Sequence, residues 1–188
     1  VVNGGISVWT LQNMFERAKA QGSADKFNDN GVMSIPQNYS VGNIKFDGTG
    51  SPDILDEARV ELEWMFNMMV KSDDPYWGSK YENFVYHKLH DHKWTGLATQ
   101  PWNYQDEWGT TRIVKPPSYA ATFNMIACAA QAARLWESYD SDFAAKCLDN
   151  AKKSWEAVMK YQSNWAIDEG KSETDPMFAP LDQAIGGE

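Results

Sequence analysis

Five residues have the types and placement to do chemistry on a ligand: His87, His92, Trp94, Trp102 and Trp108. They fall in one stretch, residues 71–117, which also holds Trp77, Tyr104 and His90. Histidine offers a ring nitrogen as donor or acceptor. Tryptophan offers a broad apolar face with a polar handle, which suits stacking on the flat C–H face of a sugar ring. The histidines stand at i, i+3 and i+5, a spacing that raises the question of a metal site. No cysteine lies nearby, and strand alternation would put His87 and His90 on opposite faces. Hydrogen-bonding histidines lining a polar cleft fit the pattern better. Aromatics and histidines gathered in one long loop mark a binding surface more than a core.

A second group is acidic. Asp53, Asp56 and Glu57 could be read as paired carboxylates. They follow Ser51 and Pro52 at the start of a helix, where negative charge opposes the helix dipole. That placement predicts capping, with Ser51 as the cap and Pro52 in the first helical turn, and not catalysis.

Helices must position these residues. The helix from Ser51 to Met69 is the clearest, with Leu55, Ala58, Leu62, Met65, Phe66 and Met69 at spacings of three and four. Residues 4–21 predict another, with Ile6, Val8, Leu11, Met14, Phe15 and Ala18 on one side and Gly22 as its stop. Residues 22–50 read as a long irregular connection without a phosphate-cradling pattern. Proline and glycine forbid a long helix across 71–117, where Asn83 to His90 alternates like a strand and Arg112 to Lys115 can pair with it. Ser118 caps an alanine-rich helix to Trp136. A short link leads to a helix from Ser141 to about Gln162, with Ala144, Leu148, Ala151, Trp155 and Met159 as its stripe. The link makes these two helices an antiparallel hairpin. Residues 163–188 read as loop.

The whole is an all-α chain of helical hairpins with elaborate loops and a short β-hairpin. Four helices cannot close a toroid, so some packing surface must come from elsewhere. The 188 residues carry a net charge of −9, which argues against nucleic acid and against an anionic membrane surface as partners. No apolar run is long enough to cross a membrane. Nine tryptophans are more than a core of this size needs. Cys128 and Cys147 fall at similar heights on the hairpin; a disulfide is geometrically possible, but buried free thiols fit better.

Several stretches together resemble the catalytic domain of family 9 glycoside hydrolases, the inverting cellulases. They are Ser51-Pro-Asp-Ile-Leu-Asp-Glu-Ala-Arg59, Glu61-Leu-Glu-Trp-Met65, Val85-Tyr-His-Lys88, Asp91-His-Lys-Trp-Thr-Gly-Leu97, Lys115-Pro-Pro-Ser-Tyr-Ala-Ala-Thr122, Ala129 to Trp136 and Phe143 to Trp155. They occur in the family's order, and are most similar to members with an immunoglobulin-like domain before the catalytic domain. The resemblance implies part of an (α/α)6 barrel, a single catalytic domain incomplete at both ends over residues 1–188. It implies an extracellular, secreted cellulase, with a cellulosome as one setting, acting on cellulose or cello-oligosaccharides. The main expectation is an endo-β-1,4-glucanase; a cellobiohydrolase of the same family is the alternative. No cofactor is needed for the chemistry, and a structural calcium belongs to a loop of the parent domain that would begin near residue 188. The family's catalytic-base motif, Trp-Tyr-Asp-Ala-Gly-Asp, and its catalytic Glu are both absent here. No catalytic residue is therefore expected in this chain, which would need the remaining segments of the same domain and be inactive alone. By the same resemblance His87 and His92 are substrate contacts and Trp94 can stack on sugar; Trp102 and Trp108 are added from composition and loop position. Residues 84–112 would form one side of the glucan cleft. Two rivals stand beside this reading. One is another (α/α) barrel enzyme acting on a different polysaccharide. The other is a non-catalytic helical interaction module, which should show a fixed internal period that this chain lacks.

Overall fold

A computed structural model describes residues 1–29, 40–41, 44–45, 48–91, 96–100 and 112–160. The described elements are α1 (Val2–Ala20), β1 (Ser40–Val41), β2 (Ile44–Lys45), α2 (Asp53–Asn67), a single turn α3 (Gly78–Tyr81), β3 (Leu89–Asp91), β4 (Arg112–Val114), α4 (Tyr119–Trp136) and α5 (Ser141–Met159). The four long helices match the expected ones within a few residues. β1 pairs with β2, and β3 with β4, both antiparallel. The predicted strand over 83–90 is shorter than its alternation suggested. Only Leu89 to Asp91 pairs as a strand, with His90 opposite Ile113. Val85 and Tyr86 make isolated bridges to Met69 and Pro117 instead.

The helices form two hairpins side by side. α4 and α5 are joined at the Trp136–Asp140 turn. α1 and α4 run parallel, as three levels of contact show. Near their starts the Cys128 thiol lies 3.3 Å from the Gly5 carbonyl. In the middle Gln12 Nε2 donates to the Cys128 carbonyl and to Gln131 Oε1, both at 3.3 Å. Further along Gln131 Nε2 donates to Glu16 at 3.0 Å, and Arg134 pairs with Glu16. Gly5 permits the approach, because a Cβ there would fall 1.4 Å from Asn124 Oδ1. α2 and α5 flank this inner pair and also run parallel, linked by Arg59 to Asp140 and Lys146 to Glu63.

The core lies between the helices. Leu55, Ala58, Leu62 and Met65 of α2 are fully buried, as their spacing predicts. In α1 the buried face is Gly5, Val8, Gln12, Phe15 and Ala18, while Ile6, Trp9 and Met14 of that helix are exposed. In α5, Phe143, Ala144, Cys147, Ala151, Ser154 and Val158 are buried, while Leu148, Trp155 and Met159 are exposed. Two of the six predicted stripe residues of α1 and three of the five of α5 therefore face outward. A helix with neighbours on more than one side carries apolar residues on more than one side.

The start of α2 also departs from expectation. Pro52, not Ser51, holds the cap position, and no side chain caps the helix. Asp53 and Asp56 are buried, at 0% and 1% exposure, and are not solvated capping charges. Asp56 Oδ2 accepts from the Thr49 hydroxyl at 2.9 Å. Cys128 and Cys147 are buried free thiols. Burial pushes both up, to about 11 and about 12, so neither is a ready nucleophile.

Candidate functional site

The segment leaving α2 runs up to the start of α4 and is stitched there by main chain. Tyr86 N–H donates to the Met68 carbonyl at 2.9 Å, and His87 N–H to the Pro116 carbonyl at 3.1 Å. Ser118 N–H donates to the Val85 carbonyl at 3.1 Å, and Lys115 N–H to the Lys88 carbonyl at 2.8 Å. Pro116 and Pro117 cannot continue a helix backward, so α4 begins sharply at Ser118. The Ser118 hydroxyl accepts from Ala121 N–H at 3.2 Å, as the sequence predicts for a cap. Thr122 adds a second lock. Its hydroxyl donates to the Ser118 carbonyl at 2.7 Å and accepts from Val85 N–H at 2.9 Å.

His87 sits at this junction. Its carbonyl accepts from the Val1 nitrogen at 3.2 Å, which ties it to the start of α1. Its Nδ1 lies 2.7 Å from Ser118 Oγ. The residue is 7% exposed. Three elements, the starts of α1 and α4 and the segment before β3, thus fix one histidine. Such a ring is preorganised for directional hydrogen bonding, and it costs little further entropy to use.

Of the five predicted site residues, His87 is the one the structure places. His92, Trp94, Trp102 and Trp108 lie outside the described residues. His90 stands in β3, its Nδ1 2.7 Å from the Asp91 carbonyl. Among the described residues no three His, Cys, Asp or Glu side chains converge as a metal cage would require. The calcium loop expected near residue 188 also lies outside them. Ser118 is the residue that sequence reasoning gave half a role. Its place after Pro-Pro signals a cap, but nothing local signals a partner 31 residues away.

The acidic pair does not join this site. Asp56 lies at the other end of α2, beside Thr49, Arg59 and Asp53. Burial pushes its carboxyl up to about 7, against the opposing pull of Thr49 and Arg59. Arg59, one turn on, is stacked 4.0 Å from the Phe143 ring centroid and 5.3 Å from that of Trp136. A recess of about 1420 Å³ runs along α2 past Arg59, Glu61 and Trp64, and His87 does not line it.

Parallel inner helices flanked by parallel outer ones, with loops elaborated where the inner helices begin, define a piece of an (α/α)6 barrel. The glycosyl hydrolase family 9 model matches residues 1–179, and the chain belongs to that family. It is 44% identical over 169 residues to the cellulose 1,4-beta-cellobiosidase of Acetivibrio thermocellus, covering 88% of this chain and 17% of that one. It is 40% identical over 166 residues to endoglucanase C of Cellulomonas fimi, covering 88% of this chain and 13% of the other. A solved Bacteroides ovatus GH9 structure superposes with a TM-score of 0.62 at 27% identity, over 86% of this chain and 25% of that one. The chain therefore spans less than a quarter of the length of these two curated relatives.

Proposed function

We propose that this chain supplies part of the substrate cleft of a secreted endo-β-1,4-glucanase that acts on cellulose or cello-oligosaccharides. The observation that carries the reading is the family match across residues 1–179, reinforced by relatives named as cellulases at 40% identity and above. Inverting glycoside hydrolysis uses two carboxyl groups roughly 6.5–9.5 Å apart, one activating water and one protonating the leaving oxygen. In this reading both come from segments of the same domain outside these 188 residues. The chain's own residues bind and orient the glucan. His87 and His92 hydrogen-bond to sugar hydroxyls. Trp94, Trp102 and Trp108 offer flat faces to pyranose rings. The buried carboxyls Asp53 and Asp56 serve packing. A structural calcium would be held by the parent domain's own loop and plays no step in bond cleavage.

The test is hydrolysis by the purified protein that carries this chain. Carboxymethylcellulose should lose viscosity quickly, as internal cleavage requires, while mannan should be untouched. Proton NMR of the first products from cellopentaose should show the α-anomer. Release of cellobiose with little loss of viscosity would move the assignment to a cellobiohydrolase. Equal action on mannan, or no binding to cello-oligosaccharides, would overturn it.

A further inference from the structure

The recess along α2 has a wall whose hydrogen-bonding capacity the fold does not use. Glu61, Trp64 and Asn67 line it and stand three residues apart, so they share one face of the helix. From Glu61 to Asn67 they span about 9 Å of the helix axis. Asn67 is exposed, and Trp64 is half-buried. Glu61 is half-buried too, and no hydrogen bond reaches its carboxyl among the described residues. That carboxyl lies against the start of α1, where Gly4 leaves room, since a Cβ there would collide with Glu61 Oε1. Burial pushes it above the ordinary carboxylate range, against the pull of the Val1 α-amino group. A carboxylate partly withdrawn from water and without a donor gains from any donor that arrives.

The charges on the α5 side of the recess are committed to one another. Arg59 bonds Asp140, and Lys146 pairs with Glu63. A charged ligand would have to break those pairs, whereas a neutral one leaves them intact. Hydroxyl groups suit what remains, because they can donate to Glu61 and both donate to and accept from the Asn67 amide. Trp64 supplies an apolar surface for the C–H face of a ring. The volume of about 1420 Å³ exceeds that of pockets that hold a drug-sized ligand, so several linked rings fit. We infer that this recess binds a stretch of β-glucan chain, with Glu61 accepting from sugar hydroxyls, Trp64 packing on a ring face and Asn67 bonding the next unit. The choice of glucan among neutral, hydroxyl-rich ligands rests on the reading of the parent protein as a β-1,4-glucanase; the preference for a neutral polyol does not.

The experiment is fluorine NMR on the protein carrying this chain, with 5-fluorotryptophan in place of tryptophan and the Trp64 signal identified by its loss in Trp64→Phe. In the free protein that signal should shift between H2O and D2O, as a ring on an open recess must. Cellopentaose should then move it saturably, and the response should survive His87→Ala, because His87 does not line the recess. Glu61→Ala should raise the half-saturating concentration about tenfold, the worth of hydrogen bonds to a charged acceptor. Asn67→Ala should raise it about threefold, the worth of one neutral hydrogen bond. If Glu61→Ala does not fold, Asn67→Ala, at an exposed position, carries the test. A Trp64 signal blind to the solvent isotope means that another part of the protein fills the recess, and overturns the inference. So does loss of the response in His87→Ala. An equal response to mannopentaose overturns the choice of glucan. An unmoved Trp64 signal in a protein that still hydrolyses carboxymethylcellulose overturns the recess and leaves the hydrolase reading standing. A saturable Trp64 response in a protein that hydrolyses no cellulose supports the recess and counts against that reading.

Discussion

The two ends of the hairpin pair handle buried polarity in opposite ways. At the Arg59 end, charge packs against one side of an aromatic pair. The Arg59 guanidinium lies over Phe143 and beside the Trp136 ring that Phe143 contacts, bonds Asp140 at 2.9 Å and approaches Glu63 at 3.7 Å. Asp140 also caps α5 through Phe143 N–H at 2.9 Å. These side chains meet across α2, α4 and α5, although Arg59 Nε and Trp136 Nε1 are buried without a hydrogen-bond partner among the described residues. At the His87 end the partners are mostly main chain, drawn from elements far apart in sequence. Side chains that bond and pack on one another cement a packing contact. A residue whose main chain is pinned on both sides, and whose ring meets the Ser118 hydroxyl, keeps its orientation. The comparison explains why the carboxylates of α2 are poor candidates for chemistry although they are the most buried acids described.

The sharpest break of this comparison is Trp136→Ala. Trp136 is fully buried and stacks edge-on to Phe143, with centroids 5.0 Å apart. Its removal should cost about 3–5 kcal/mol of unfolding free energy, read by denaturant titration. Arg59→Lys should follow at about 1–2 kcal/mol, because an ammonium cannot lie flat on the Phe143 ring while holding a carboxylate. In both variants the cellopentaose affinity of the folded fraction should stay within about twofold, since each acts on stability through packing alone. A large loss of affinity in either would mean that the two ends are coupled.

His87→Ala should show the reverse ratio. The stability loss should be about 1–2 kcal/mol, chiefly from the Ser118 hydroxyl left without its acceptor. The affinity loss for cellopentaose, measured by calorimetry, should be about tenfold. Stability loss without affinity loss would place His87 with Arg59, as cement.

How far the sequence foretold these two ends differs from residue to residue. α2 was legible because it shows one face to the core, so its spacing of three and four is also its burial pattern. α1 was legible as a helix but not in its contacts. Its buried positions include Gly5 and Gln12, chosen for close approach to α4 and for a hydrogen bond across it, and no apolar scale ranks them. Ile6 and Met14 read as core and are exposed. Pro52 was placed one position too late, since the capping pattern around Ser51 suggests a side-chain cap that the chain replaces with the Thr49–Asp56 bond. The family resemblance reached His87 through Val85-Tyr-His-Lys88. It could not reach Ser118 as its partner, because that pairing exists only when the segment after α2 folds onto the start of α4. Trp94, Trp102, Trp108 and His92 remain readings of residue type and motif.

The finest distinction at the Arg59 end is between buried Asp56 and half-buried Asp140, and pH separates them. Burial works against the charge on Asp140, but Phe143 N–H and Arg59 outweigh it and hold that carboxyl below the ordinary range. Asp140 therefore contributes stability above the unfolded carboxylate value, and that contribution is lost as pH falls toward its folded value. Asp56 has the opposite sign. Its folded value of about 7 lies above an unfolded value near 3.8, so the folded protein holds the extra proton between them. Stability from Asp56 is full at low pH and is lost as pH rises through about 7. The groups facing it set the size of the effect: Thr49 and Arg59 favour its charge, Asp53 and Asp29 oppose it. Asp56→Asn keeps the Thr49 hydroxyl partnered and cannot ionise. Its melting temperature should match the parent near pH 3 and exceed it at pH 8 by about 3 °C, a shift of order 1 kcal/mol for a domain of this size. Asp140→Asn should instead lose stability at pH 8 and converge with the parent near pH 3. A parallel response of the two variants would mean that Asp56 is ionised in the fold at neutral pH, and that the Arg59 end carries one more uncompensated charge than its geometry suggests.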